Sequence, residues 1–275
     1  MTDTKRMPTY FISHGGGPWP WIKDLMPGDF GPLERSLQAM PREIGQRPRA
    51  ILMVSGHWEA SEFTVQTSPH PPMVYDYGGF PEFTYHIQYP APGSPEVAAR
   101  VVELLGAASI PVRQDPQRGF DHGVFAPLYA IYPEADVPVL QLSLKHGYDP
   151  EAHLAVGRAL APLRDEGVVI VGSGLSYHNL SRMGAAGQQP SADFDRWLGD
   201  ALAADPERRT AALLAWDRAP SARVAHPAED HLIPLMVAVG AAEQDHAVRT
   251  YHEDTFFGSI TASSYRFDAE AQPAA

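Results

Sequence analysis

Ala50–His57, AILMVSGH, is an unbroken apolar run that ends in a serine, a glycine and a histidine. An apolar run of this length is what a strand buried on both faces requires, and parallel sheets are where such strands occur. Val168–His178, VVIVGSGLSYH, repeats the pattern, and Tyr10–His14, YFISH, is a shorter version. The strands themselves are expected at Thr9–Ser13, Ala50–Ser55 and Val168–Val171, with further β-rich runs at Phe63–Thr67 and Val137–Leu144.

Helical periods lie between these runs. Ser94 is the expected N-cap and Pro95 the first turn of a helix with Val97, Val101, Leu104 and Leu105 on one face. Asp149-Pro150 opens a second helix, running to about Leu163. A third starts near Ser191 and carries Phe194, Trp197, Leu198 and Leu202 as its stripe. Asp205-Pro206 opens a fourth. His226-Pro227 opens a fifth, with His231 in its first turn and Leu232, Leu235, Met236 and Val239 behind it. Strands alternating with helices predict an α/β fold: a single domain over residues 1–275 with a central, largely parallel sheet flanked by helices. A disordered tail is expected from about residue 267.

Composition narrows the chemistry. There is no cysteine, which excludes disulfides, thiolate zinc sites, iron–sulfur clusters and cysteine nucleophiles together. A formal charge of −12 without a basic run argues against nucleic acid and anionic membranes as partners. No run approaches the roughly 18 apolar residues of a membrane span. The apolar stretch after Lys5-Arg6 is too short for a signal peptide, so a cytoplasmic location is the default. Histidine, present 12 times, is where metal or acid–base chemistry must be sought.

Four histidines are placed suggestively. His14, His57 and His178 follow the ends of apolar strands, and His231 is expected at a helix start. In open α/β sheets ligand sites form beyond the carboxyl ends of the strands, so these imidazoles from distant segments would converge. Neutral imidazoles suit Fe(II), Zn(II) and Cu(II). His70, His86, His146, His153, His246 and His252 lack that context and read as surface or supporting residues.

The motif order resembles the class III extradiol ring-cleavage dioxygenases, in their DOPA 4,5-dioxygenase-type branch. The matching pieces are FISHGGGP, ILMVSGHWE, YDYGGFPEFTYHIQYPAPGSPEVA, GFDHGVFAPL, VPVLQLSL, VVIVGSGLSYHNL and HPAEDHLIPLMVAVGAA, in family order from residue 11 to 242. The resemblance implies O₂-dependent opening of a catechol-type ring beside, not between, its hydroxyls. It implies a mononuclear non-haem Fe(II) held by His14 of SHGGG, His57 of SGHWE and His231 of AEDHLIP, with Zn(II) as the other metal such ligands suit. It also implies His178 of SYHNL as acid/base and His122 of FDHG as a second active-site histidine facing the substrate. The partners implied are a small catecholic molecule and O₂.

Non-haem Fe(II) oxygenases usually pair two histidines with one carboxylate, and the broader family has a glutamate where this chain has His231. Glu229 and Asp230 stand beside it as carboxylates that could fill that place. Asp121 and Glu59 are candidates to orient ring nitrogens. Trp19, Trp21, Tyr75, Tyr77 and Phe80 are candidate pocket walls, and Arg118, Arg182 and Arg223 are candidates for a substrate carboxylate. Two other function classes remain. A zinc hydrolase or a non-enzymatic metal binder on the same fold is one, since three histidines plus water describe a hydrolytic zinc centre. A serine esterase would use His14-Gly15-Gly16-Gly17 as its oxyanion hole, but neither Ser173 nor Ser176 sits in a complete nucleophile elbow. Substrate identity and oligomeric state are not legible.

Overall fold

In the computed structural model, which describes residues 6–269, ten strands and nine α-helices follow in this order: β1 (Thr9–Ser13), α1 (Gly31–Ile44), β2 (Ala50–Ser55), β3 (Glu59–Ala60), β4 (Phe63–Gln66), α2 (Pro95–Ala107), β5 (Val112–Asp115), α3 (His122–Ile131), β6 (Val139–Gln141), β7 (Leu144–Lys145), α4 (Pro150–Leu160), α5 (Pro162–Asp165), β8 (Val168–Gly174), α6 (Ala185–Ala203), α7 (Pro206–Leu214), α8 (Ala222–Ala225), α9 (Pro234–Ala241), β9 (His246–Phe256) and β10 (Ile260–Asp268). The central sheet has the order β6-β2-β8-β1-β10-β9. Its first four strands run parallel, and β10 joins β1 antiparallel, with β9 as its hairpin partner.

β1, β2 and β8 are buried along their whole length, as their apolar runs require. Alternation along β8 sets the layers on its two faces. Ser173 donates its hydroxyl to the Gly123 carbonyl at the start of α3. Gly172 and Gly174 point the other way, and a Cβ on either would strike the backbone of the 231–234 segment leading into α9. α9, PLMVAVGA, is buried all round, as a helix apolar on every face must be.

Several expectations shift. β4 pairs with β5 outside the central sheet, and Val137–Leu144 divides between β6 and β7. The second helix stops at Leu160, and Pro162 starts the separate turn α5. The third begins at Ala185, before Ser191. His226-Pro227 does not open a helix. Turns run to Ile233, so α9 starts at Pro234 and His231 sits in the loop before it. Phe267 and Asp268 belong to β10 and not to a tail; residues 270–275 lie outside the described residues. Among the described residues no helix is long and apolar enough to cross a membrane.

Candidate metal centre

Each clustered imidazole is delivered by a different element. His14 follows β1, and its backbone N–H donates to the Gly174 carbonyl at 3.1 Å. Its own carbonyl accepts from Trp19 Nε1 at 2.8 Å, which gives that buried tryptophan a structural task and not a pocket one. His57 follows β2, with its N–H on Ser55 Oγ at 3.1 Å. His122 is the first residue of α3. His178 follows β8, its N–H bonded to the Ala225 carbonyl at 3.0 Å. The His231 carbonyl accepts from Leu175 N at 3.1 Å, close against Gly174.

The rings converge. His14 lies with its centroid 5.0 Å from that of His57 and 5.1 Å from that of His231, and His57 and His231 are 4.6 Å apart. The ligand atoms of these three lie within 4.8 Å of one another. His122 packs on His57 at 3.9 Å, and His178 stacks on His231 at 3.4 Å with ring planes 15° apart.

Two carboxylates organise the cluster from outside. Asp230 Oδ2 is 2.7 Å from His231 Nδ1 and 3.9 Å from His178 Nδ1. Asp76 Oδ2 is 3.2 Å from His57 Nδ1, while its Oδ1 accepts from the His122 N–H at 3.0 Å and stands 2.9 Å from His122 Nδ1. Burial works against the charge on Asp76, but the hydrogen bond and charge of His122, together with His57, outweigh it and hold the carboxyl below its usual range. A carboxylate facing Nδ1 leaves Nε2 as the outward lone pair, the arrangement common to metal-ligating histidines.

His57 Nε2 and His231 Nε2 therefore face each other at 3.1 Å with no hydrogen required on either. Both ring nitrogens of buried His14 lack any hydrogen-bond partner. Burial, and then the neighbouring imidazoles, push the pKa of His14 and of His231 well below the ordinary value. Burial likewise drives His57 to about 3 and His178 to about 4. These are neutral lone pairs gathered without donors, and a buried acceptor left unmatched costs about 1–3 kcal/mol. A cation on His14, His57 and His231 answers all three at once, and the donor set fits a borderline metal such as Fe(II) or Zn(II).

The other sequence candidates divide. Asp121 is buried and accepts from Ser55 Oγ and Arg118, whose Nη2 also reaches the His57 carbonyl at 3.4 Å; it braces the His57 backbone and not a ring nitrogen. Arg118 is thereby committed, as Arg223 is to Glu229 at 2.8 Å. Glu59 is exposed, takes the Tyr148 hydroxyl and pairs with His146. Tyr77 lies 5.8 Å from His122, with Phe80 against Tyr77 at 5.5 Å and over Gly17, so these two aromatics border the site. His153 is not a surface residue: it is buried on the inner face of α4, bonded to Lys145 N and the Asp149 carbonyl. Ser173 and Ser176 are buried and committed to the backbone of Gly123 and Ser263, so neither is an esterase nucleophile. Asp76 went unread in the sequence. Its one signal is an acid between two aromatics in YDYGGFP, a pattern that fixes no period and no partner.

An imidazole pocket at the carboxyl ends of a parallel sheet, braced by carboxylates from outside, defines an α/β protein built to hold a metal. Residues 10–268 match the family described as the catalytic LigB subunit of aromatic ring-opening dioxygenase. The 4,5-DOPA dioxygenase extradiol of Beta vulgaris is 39% identical over 264 residues, covering 94% of this chain and 96% of that one. The protein of the same name from Escherichia coli (strain K12) is 35% identical over 269 residues, covering 96% of each. A crystal structure of an uncharacterized Escherichia coli K12 protein superposes with a TM-score of 0.78 at 31% identity, covering 96% of this chain and 100% of that one. The chain belongs to the LigB family and is an extradiol aromatic ring-opening dioxygenase.

Proposed function

We propose that this enzyme opens catechol-type rings with O₂ at a single Fe(II) held by His14, His57 and His231, with His178 and His122 serving the substrate. The observation that carries the reading is the facing Nε2 pair of His57 and His231, 3.1 Å apart, beside a His14 ring with no partner. When bound, the metal supplies acidification of the catechol hydroxyls and brings catecholate and O₂ together.

The chain's own groups do the rest. His178, neutral and partly open to solvent, takes a hydroxyl proton and returns it as the ring opens. Its stacking on His231 keeps its ring beside the ligand set. His122, packed on His57, is the second histidine that serves the substrate. Tyr77 and Phe80 form an aromatic edge suited to a planar ring. Asp230 orients His231 and leaves the three-histidine set without a carboxylate ligand. DOPA heads the candidate substrates because the plant and bacterial relatives carry that name.

The test is anaerobic reconstitution of metal-free protein with Fe(II) or Zn(II), followed by O₂ uptake with a catechol panel that includes DOPA. Uptake and a visible-absorbing product with Fe(II), absent with Zn(II), is the expected result. Tight Zn(II) retention and no uptake with any catechol overturns the reading.

A further inference from the structure

Asp76 touches two clustered histidines through two different oxygens. Oδ1 accepts from the His122 backbone and faces His122 Nδ1 at 2.9 Å, and Oδ2 faces His57 Nδ1 at 3.2 Å. The residue lies in the long segment between β4 and α2, outside any helix or strand. That segment is held by the Tyr75 hydroxyl on the Ile87 carbonyl and the Tyr77 hydroxyl on the Thr84 carbonyl, both at 2.6 Å, so Asp76 is fixed from both sides. A carboxylate has no hydrogen to give. A neutral ring that meets it at Nδ1 must therefore carry its hydrogen there and leave Nε2 bare: His122 makes that hydrogen bond at 2.9 Å, and His57 Nδ1 stands 3.2 Å from the second oxygen as its electrostatic partner.

We propose that Asp76 is a positioning residue that fixes the Nδ1–H tautomer of His57 and His122 together, presenting one lone pair as a metal ligand and the other as a proton acceptor. The consequence falls on the polarity of His122. A neutral His122 held in this way has no Nε2 hydrogen to offer an oxygen. Toward a substrate hydroxyl it accepts. The hydroxyl proton moves to Nε2, the O–H bond breaks, and the imidazolium keeps its Nδ1–H on a carboxylate that remains charged. A base oriented by a carboxylate is the logic of the catalytic triad, without its nucleophile. His178 has weaker support, because Asp230 Oδ2 stands 3.9 Å from its Nδ1 and only 2.7 Å from that of His231. A catechol carries two hydroxyl protons, and the site then holds an acceptor for each.

The metal half of this inference rests on His57 being a ligand, and the His122 half does not. Two measurements keep them apart. Long-range ¹H–¹⁵N spectra of ring-labelled protein, metal-free and Zn(II)-loaded, read the His122 tautomer directly. The expected result is Nδ1–H in wild type, lost in Asp76→Ala. Nε2–H on His122 in wild type overturns the proposal whether or not any variant folds. Titration of metal-free protein with Zn(II) gives the second readout. Asp76→Asn is nearly isosteric, but its amide NH₂ must donate to His57 Nδ1 if the oxygen stays with His122, which drives the His57 hydrogen onto Nε2. Affinity is expected to fall about 10- to 100-fold in Asp76→Asn, and to stay within about threefold of wild type in His122→Ala. Equal affinity of wild type and Asp76→Asn refutes the shared role. Failure of wild type to bind metal would instead sink the reading of the metal centre and leave the His122 tautomer as the deciding result.

Discussion

At His14, His57 and His231 the expected consequence of truncation is loss of metal, because His14 and His231 are buried, His57 is half-buried between them, and none has a protein donor aimed at its free lone pair. His14→Ala and His57→Ala should each weaken Zn(II) binding by at least about 100-fold, read by titration of metal-free protein. His178→Ala should keep the metal and lose turnover by about 100- to 10,000-fold, the usual worth of a positioned acid–base. Metal loss equal to that in His57→Ala would make His178 a fourth ligand and remove it from proton transfer. The gathering of His14, His57 and His178 was legible in the chain because each follows a run whose burial on both faces fixes where it ends, whereas His231 is read at a helix start and lies in the loop before α9. Asp76 and the part played by Asp230 were not. A carboxylate in a loop carries no periodicity, and only the folded loop shows which ring nitrogen it meets.

The elements around the site are packed through glycines, and this gives predictions that no ligand argument would. On β8 a Cβ at Gly174 would collide with the His231 carbonyl and stand 2.9 Å from its carbon. Gly174→Ala should therefore push the 231–234 loop off the sheet, costing about 1–3 kcal/mol and weakening metal binding with it. Gly199→Ala, in the middle of α6 where the nearest atom would be Tyr265 Oη at 3.6 Å, is the control. It should leave the metal alone and hold or raise stability by up to about 1 kcal/mol. Thermal melts and Zn(II) titration of both variants decide it, and equal behaviour would show that the close approach at Gly174 is not what seats His231. The parallel strands were readable as apolar runs, whereas the β9–β10 hairpin was not. β10, ITASSYRFD, is buried throughout yet rich in polar residues. Its serines and backbone are matched across the fold: Ser13 N donates to Ser264 Oγ, Ser263 N to Ser176 Oγ, and Thr261 N to Ser191 Oγ, each at 2.9 Å. Polarity satisfied at long range looks like surface in a sequence. α3 was hidden in another way, since Pro127 inside HGVFAPLYAI breaks the expected helical pattern.

Across the whole molecule the buried histidines tie stability to pH, and His153 shows the sign most cleanly because it stands apart from the metal cluster. Its Nε2 accepts from Lys145 N at 3.2 Å, which leaves the hydrogen on Nδ1 for the Asp149 carbonyl at 2.7 Å, so the folded protein holds it neutral. Burial lowers its pKa to about 4 against an ordinary 6.5. Above pH 6.5 neither the folded nor the unfolded chain binds a proton there, and the residue gives no pH dependence. Below it the unfolded chain gains a proton that the folded one refuses, so stability falls with pH until about 4, where both are charged. Between pH 7 and pH 5 that single group should remove roughly 2 kcal/mol. Denaturant unfolding of wild type and His153→Gln at the two pH values, with identical metal loading, isolates it because every other titration is common to both chains. The variant is expected to lose roughly 2 kcal/mol less on acidification, whatever its stability at pH 7. An equal loss in the two chains would mean that His153 takes up its proton without unfolding. The bond from Lys145 N to Nε2, which joins β7 to α4, would then have to break in the folded state, while Nδ1–H keeps the Asp149 carbonyl.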